Sequence, residues 1–160
     1  MDMEIGHLRL DPGEYEPYDF EFDPQDSGED YTLLTPLHAH GSITFGGNAF
    51  LLAGSLSARV QLLCSRCLTP VVQDLSFAFD EEFDEDEYPG DDAVMDLEDI
   101  AHQIWLTSIP MQVLCREDCK GLCSQCGKNL NEGACDCPAA DIDPRMEIFR
   151  DWVSGQDSEK

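Results

Sequence analysis

Eight cysteines lie in this 160-residue chain, and six of them fall within residues 115–137. These six follow the pattern Cys-x3-Cys-x3-Cys-x2-Cys-x8-Cys-x-Cys, and the other two form a Cys-x2-Cys pair at Cys64 and Cys67. Two thiolates at Cys-x2-Cys spacing can bind one metal ion when the backbone between them turns tightly. Gly127 directly follows such a pair and can adopt the left-handed conformation that these turns often need. The spacing is typical of zinc sites.

Eight thiols are enough for two tetrahedral zinc sites of four ligands each. The partition with the shortest loops gives one ion the set Cys123, Cys126, Cys135 and Cys137. The second ion then takes the set Cys64, Cys67, Cys115 and Cys119. A single site that combines Cys64 and Cys67 with two of the later six remains an alternative. Sites filled by thiolates have no open coordination position, so we expect one or two structural zinc ions rather than a hydrolytic centre.

The start of the chain has no basic segment followed by an apolar one, and no apolar stretch approaches the length of a membrane span. We therefore expect a soluble cytoplasmic protein that has no membrane partner. In that reducing compartment clustered cysteines are more often metal ligands than disulfides. Disulfides and free thiols remain alternatives, although Cys135 and Cys137 would form a strained ring.

The chain is strongly acidic, with 34 Asp and Glu residues against 9 Lys and Arg residues and a formal net charge of -25. Two four-thiolate zinc sites would lower this to about -29. This charge argues against broad contact with nucleic-acid phosphates and favours a basic protein partner. Four of the cations lie in or beside the cysteine motifs, where they either offset thiolate charge or form a compact RNA or anion contact: Arg66, Arg116, Lys120 and Lys128.

Alternating apolar residues predict an antiparallel β-meander in residues 37–83. Its strands would be His38–Phe45, Ala49–Cys64 and Pro70–Phe83, with the Cys64–Cys67 pair at the tip of the second hairpin. Gly54 predicts a bulge or a bend in the middle strand, and Gln73 predicts a register break in the last strand. Aromatic residues spaced by two predict a further edge strand, at Tyr18, Phe20 and Phe22.

Helical spacing of apolar residues predicts a helix over residues 97–108 that begins after Asp96, ends before Pro110 and lies across the sheet. Pro144–Val153 predicts a second, short helix. The fold class is therefore α+β: an antiparallel β-meander packed against one helix, with a C-terminal cysteine-rich zinc module and a short terminal helix. We expect a mainly β domain in residues 1–113, the zinc module in 114–140, and the helix and tail in 141–160.

Three other features favour ordinary structural roles. His38 and His40 lie two apart on a predicted strand and share a face, as paired ligands would, but exposed strand histidines explain them more simply. Residues Asp80–Asp92 predict a solvated loop, because they combine nine carboxylates with Pro89 and Gly90. The run Glu81–Glu87 lacks the ligand spacing of a calcium loop, and docking of a partner remains an alternative to simple solvation. The Cys64–Cys67 pair has no helix N-terminus to lower a thiol pKa for redox chemistry.

The segment Ile109–Asn131, the Cys135-Asp-Cys137 pair and the upstream Cys64-Ser-Arg-Cys67-Leu68 motif together resemble the YceD family of large ribosomal RNA subunit accumulation proteins. The resemblance extends from the meander to Asp143-Pro-Arg145. It implies a factor that supports accumulation of 23S ribosomal RNA and assembly of the large subunit. It also implies a small basic ribosomal protein as a candidate partner, and a metal that stabilises the fold, since some relatives lack most of the later cysteines.

Two functional hypotheses follow. The favoured one is a non-enzymatic assembly factor that binds a precursor of the large ribosomal subunit, through a basic ribosomal protein and with 23S RNA as a further contact, and that has no small-molecule substrate. The alternative is a thiol-dependent or zinc-dependent enzyme. The alternative predicts that Cys64 or Cys67 is needed for activity but not for folding, whereas structural zinc predicts a loss of stability.

Overall fold

The core of the fold is an antiparallel meander of three strands, as predicted. The computed structural model describes residues 1–24 and 31–137, and in it the meander consists of β4 (Leu37–Phe45), β5 (Ala49–Leu63) and β6 (Pro70–Asp84). Apolar side chains alternate along each strand and bury one face of the sheet. Strand β5 is central, because it pairs with β4 on one side and with β6 along its whole length on the other.

Two shorter strands complete the sheet. Strand β2 (Tyr15–Phe22) pairs antiparallel with β4 at the edge, which confirms the predicted edge strand. Strand β3 (Tyr31–Leu33) pairs with β5 at residues 60–62, beyond the part of β5 that pairs with β4. The order across the sheet is therefore β2-β4-β5-β6. Strand β3 lies on the same side of β5 as β4 and pairs with the next part of β5.

The predicted bulge at Gly54 is wrong, because β5 keeps an unbroken register against both neighbours. Gly54 lies directly opposite Gly41 on β4, and the Tyr18 hydroxyl donates a hydrogen bond of 3.2 Å to the carbonyl of Ala53 beside this pair. A Cβ atom on either glycine would overlap backbone atoms and the Tyr18 hydroxyl. Glycine is thus required here because the β4 backbone and the Tyr18 hydroxyl approach closely.

Alanine at Gly54 is expected to destabilise the protein by about 1–3 kcal/mol, because its methyl group must displace Tyr18 or the β4 backbone. Urea denaturation followed by circular dichroism measures the change. The matched control is Gly46→Ala, whose Cβ would meet Leu51 at an ordinary 3.5 Å. Equal stability of the two variants would contradict the steric role of Gly54.

The register break predicted near Gln73 is also wrong. Strand β6 pairs with β5 without interruption from Pro70 to Asp84, and Gln73 simply replaces an apolar residue on the inner face, between Val71 and Leu75. The single polar residue broke the apolar alternation in the sequence but does not shift the strand.

A helix covers the inner face of the sheet. Helix α1 (Leu97–Ser108) has the predicted bounds, and the Asp96 carboxylate caps it by accepting hydrogen bonds from the backbone N–H groups of Glu98 and Asp99, at 3.0 and 3.4 Å. The side of the helix that faces the sheet is buried at Leu97, Ala101, Ile104 and Trp105. The Trp105 ring lies 5.6 Å from that of Phe77 on β6, so the helix packs across the strands.

A small two-stranded sheet adjoins the start of the helix. It pairs β1 (Asp2–Glu4) with β7 (Val94–Asp96), and the 3-10 turn at Gly6–Arg9 follows β1. Ile5 and Leu8 are fully buried and extend the core beyond the main sheet. The N-terminus thereby becomes part of the folded unit.

The loop predicted for Asp80–Asp92 begins later than expected. Residues Asp80–Asp84 belong to β6, and a 3-10 turn at Glu85–Glu87 follows. Arg9 fastens this loop: its guanidinium binds the Glu85 carboxylate at 3.0 Å, donates to the carbonyls of Tyr88 and Gly90, and lies 4.9 Å from the Phe50 ring centroid. The pairing with β5 continues through these acidic residues, with Phe83 opposite Phe50.

The terminal helix predicted at Pro144–Val153 falls outside the described residues. The division into 1–113, 114–140 and 141–160 stays a prediction. Within residues 1–24 and 31–137, no helix has the length and apolar character that crossing a membrane requires.

Candidate metal centre

The first cysteine pair occupies the tip of the β5–β6 hairpin, as predicted. The backbone closes there in a tight turn, in which the N–H of Leu68 donates to the carbonyl of Cys64 and the N–H of Cys64 donates to that of Thr69, both at 2.9 Å. Leu68 has a φ of 58°, in the left-handed region. The turn places the sulfurs of Cys64 and Cys67 on the same side of the tip.

The segment after helix α1 brings two more cysteines to this tip. Backbone and side-chain hydrogen bonds join Ser65 and Val113 in both directions, at 2.8 and 3.1 Å. The Arg66 guanidinium donates to the carbonyl of Cys119 at 2.9 Å. These contacts hold Cys115 and Cys119 against the hairpin, about fifty residues away along the chain.

The four sulfurs of this first cluster fit a tetrahedral metal ion. The sulfurs of Cys64 and Cys119 are 3.8 Å apart and those of Cys67 and Cys115 are 3.5 Å apart, and all four lie within 4.8 Å of one another. A tetrahedron with zinc–sulfur bonds of about 2.3 Å has sulfur–sulfur edges of about 3.8 Å. Cys64, Cys67 and Cys119 are buried, whereas Cys115 is exposed, so water would reach this centre only from the side of Cys115.

The second cluster is local and more exposed. Its four sulfurs also lie within 4.8 Å of one another and belong to Cys123, Cys126, Cys135 and Cys137. The turn between the first two closes through a hydrogen bond of 2.9 Å from the N–H of Gly127 to the carbonyl of Cys123, and Gly127 has a φ of 72°. The left-handed conformation predicted at this glycine is confirmed. All eight cysteines are thiols without disulfide bonds, and they group as the shortest-loop partition predicts.

Asn131 supports the first cluster, and the cysteine spacing did not predict this role. Its side-chain oxygen accepts a hydrogen bond of 2.8 Å from the N–H of Lys120, and its side-chain nitrogen donates to the sulfur of Cys119 at 3.3 Å. A donor to a coordinating sulfur spreads the thiolate charge and fixes the sulfur's orientation. The only sequence signal is the Asn129-Leu-Asn131 motif, since Asn129 in turn accepts from both nitrogens of Asn131.

Thiol acidity in the first cluster is uneven. Burial raises the pKa of Cys64, but hydrogen bonds from the backbone N–H groups of Arg66, Cys115 and Cys67 outweigh it and lower that pKa to about 6. Desolvation of its sulfur and the neighbouring thiols raise the pKa of Cys115 to about 12. Negative sulfurs this close repel one another, so the cluster favours a bound cation over four thiolates alone.

The thiol pKa values in the second cluster are uneven in the same way. Hydrogen bonds from the backbone N–H groups of Cys126 and Gln125, followed by the neighbouring thiols, lower the pKa of Cys123 to about 6. The thiol of Cys126, desolvation and the thiol of Cys123 raise the pKa of Cys137 to about 12. Backbone donors therefore surround Cys64 and Cys119 in the first cluster and Cys123 in the second, as in metal-binding knuckles.

The four cations predicted beside the cysteines are exposed, and three of them bind groups of the protein itself. Arg66 donates to the Cys119 carbonyl, as described above. Arg116 lies 3.4 Å from the Asp118 carboxylate, and the Lys128 ammonium donates to the carbonyl of Ala134 at 2.7 Å. Lys120 contributes its backbone N–H to Asn131. Their predicted contact with RNA or another anion stays a prediction.

The two histidines share a face, as predicted, and their rings stack with centroids 5.3 Å apart. His38 binds the Asp19 carboxylate at 2.8 Å, and His40 lies 3.3 Å from the Ser55 hydroxyl. In the described part of the chain, only the two cysteine sets bring three or more potential ligands together. The histidines thus have local polar partners.

Comparison with known proteins identifies relatives of the chain. The family described as large ribosomal RNA subunit accumulation protein YceD matches residues 52–151. The chain is 28% identical over 147 residues to "Large ribosomal RNA subunit accumulation protein YCED homolog 1, chloroplastic" of Arabidopsis thaliana. That alignment covers 68% of this chain and 46% of the plant protein, so the chain spans about half the length of this curated relative. No solved structure matches.

The family match includes most of the meander, helix α1 and both four-sulfur clusters, and it covers more than half of the chain. The resemblance seen in the cysteine motifs is thereby confirmed. This chain belongs to the YceD family.

Proposed function

We propose that this chain is a non-enzymatic factor that supports accumulation of 23S ribosomal RNA, and hence assembly of the large ribosomal subunit, by binding a basic protein of a precursor particle. The family description supports the connection to large-subunit RNA. The observation that carries the mode of binding is the net charge of -25, which repels phosphates and attracts cationic protein surfaces.

We also propose that the protein binds two structural zinc ions. The first would be held by Cys64, Cys67, Cys115 and Cys119, and the second by Cys123, Cys126, Cys135 and Cys137. Four thiolates suit zinc, which would neutralise the sulfur charge and join the elements that carry them. Four protein ligands leave no coordination position for a substrate, which favours a stabilising role over the enzymatic alternative. A reducing compartment such as the cytoplasm suits this chemistry.

A smaller contact with RNA is proposed for the cysteine-rich module. Arg66, Arg116, Lys120 and Lys128 are four of the nine Lys and Arg residues and all are exposed. Three already have partners within the protein, so they would form at most a few phosphate contacts. Such contacts would position the protein on a particle without providing most of the affinity.

Crosslinking to purified precursors of the large subunit tests the function. We expect the tagged chain to co-sediment with these particles and to crosslink to a basic large-subunit protein, identified by mass spectrometry, with 23S RNA as a minor product. An unrelated acidic protein of similar size and charge is the control for unspecific attraction. Recovery of neither a ribosomal protein nor 23S RNA above that control would overturn the proposal.

A further inference from the structure

The sheet has a second face, turned away from α1, that no described element covers. We call it the outer face. The floor, which we define as the small side chains that β4, β5 and β6 carry on this face, consists of Ser42, Ala53, Ser55, Ser57, Ser76 and Ala78. These residues lie side by side across the strands, since Ser42 is opposite Ala53, Ser57 is opposite Ser76 and Ser55 is opposite Ala78. The stacked rings of His38 and His40 lie on the same face of β4, opposite Ser57 and Ser55. The small side chains of the floor let another backbone approach closely beside the two histidines.

Acidic residues flank this floor on both edges of the sheet. Asp19 and Glu21 lie on the outer face of β2, and Asp74, Asp80 and Glu82 lie on the outer face of β6. We call these two rows the rims. They lie on the two edge strands of the described sheet, and on β6 they precede and follow the floor residues Ser76 and Ala78. All five rim residues are exposed.

Much of the rim charge has no counterion. The Arg59 guanidinium is held by both oxygens of Asp74, at 2.7 and 2.9 Å, and is not available for other acids. His38 binds Asp19. Among the described residues, no cation lies within ion-pair distance of Glu21, Asp80 or Glu82. These carboxylates are therefore available to bind cationic groups of a partner.

The dimensions of the outer face suit a helix. From β2 to β6 the sheet spans three spacings between strands, which is about 14 Å. An α-helix with its side chains is about 10–12 Å across. A helix lying along the strands would therefore place its flanks over β2 and β6, which carry the rims, and its central side chains over β4 and β5.

We infer that the outer face binds a cationic α-helix of a protein partner, with lysine and arginine side chains over the rims and small or apolar side chains on the floor. The inference rests on the proposed function and adds the surface and the shape of the partner to it. Phosphate groups are the wrong ligand for this face, because its unpaired charges are negative. The helix would cover a sheet face in the way that α1 covers the opposite one.

Three variants test the assignment against protein extracted from purified large ribosomal subunits, which is rich in cationic segments. The first, Asp80→Lys with Glu82→Lys, reverses rim charge. The second, Ala53→Gln, fills the floor without changing charge. The control, Asp86→Lys with Glu87→Lys, makes the same charge change on the turn after β6. We expect affinity to fall about tenfold or more for the first two and to stay near wild type for the control.

A photo-crosslinker at Ser55, on the floor, identifies what binds there. The expected product is a helical, lysine- or arginine-rich peptide of a large-subunit protein. Crosslinks to RNA, to a second copy of this chain or to its own residues 138–160 would overturn the inference, and so would unchanged binding by both test variants. If those variants still bind precursor particles as the wild type does, only the inference fails. If the wild type binds no particle or large-subunit protein, the proposed function fails as well.

Discussion

The substitution Cys119→Ser is expected to lower the melting temperature of the whole protein by about 8–16 °C. The substitution Cys126→Ser should leave the main thermal unfolding transition almost unchanged. Both changes remove one thiolate from a four-sulfur cluster. The difference arises from what each cluster joins, because one connects distant parts of the fold and the other connects only its own short loop.

The first cluster joins the β5–β6 hairpin to the segment after α1 and closes a loop of about fifty residues. By the chain-entropy estimate, a crosslink across such a loop stabilises the folded state by about 4 kcal/mol. For a protein of this size, each kcal/mol corresponds to roughly 2–4 °C in melting temperature. Cys119 is also buried and accepts a hydrogen bond from Asn131, so a serine there leaves neighbours without their sulfur partner.

The second cluster lies within residues 123–137 and its cysteines are exposed or half-buried. Loss of its metal should unfold this loop without exposing the sheet. Native mass spectrometry before and after chelation supplies the matching readout: we expect two zinc ions on the wild type, one on each serine variant and none after chelation. Equal thermal shifts for the two variants, or a wild type that carries no metal, would contradict the proposed roles.

The features that could be predicted from the sequence are those that depend on neighbouring residues. The α1 boundaries follow from an acidic cap at Asp96 and from Pro110, and the strands follow from period-two alternation, all within short windows. The partition of the cysteines followed from loop length alone. The helix cap, the strand alternation and the cysteine spacing can each be recognised without knowing which distant segment packs against them.

The features that could not be predicted depend on contacts across the sheet. Gly54 looked like a bulge, because the sequence gives no indication that Gly41 lies opposite it or that Tyr18 packs over both. Asn131 was overlooked because its partners, Lys120 and Cys119, are eleven and twelve residues away and the asparagine is not a metal ligand. The outer face was missed for the same reason, since its floor exists only once β4, β5 and β6 are in register.

The second large effect is expected at Trp105, where alanine should cost about 3–5 kcal/mol of folding free energy. Trp105 is fully buried and is the largest of the fully buried side chains, and its ring packs against Phe77 between α1 and the sheet. Removing it leaves a cavity at the contact that fixes the helix. Because α1 leads directly into the segment that carries Cys115, this variant should also bind zinc at the first cluster less tightly than the wild type.

The substitution Trp105→Phe distinguishes the effect of packing from that of hydrogen bonding. It is expected to reduce the folding free energy by less than half as much as Trp105→Ala does. The indole N–H is buried and has no acceptor among the described residues, so its loss removes an unsatisfied donor, while a ring against Phe77 is retained. Urea denaturation followed by far-ultraviolet circular dichroism compares the variants without relying on tryptophan fluorescence. If phenylalanine proves as costly as alanine, then the N–H makes a bond in solution that the packing argument omits, and the helix is held by that bond as well as by apolar contact.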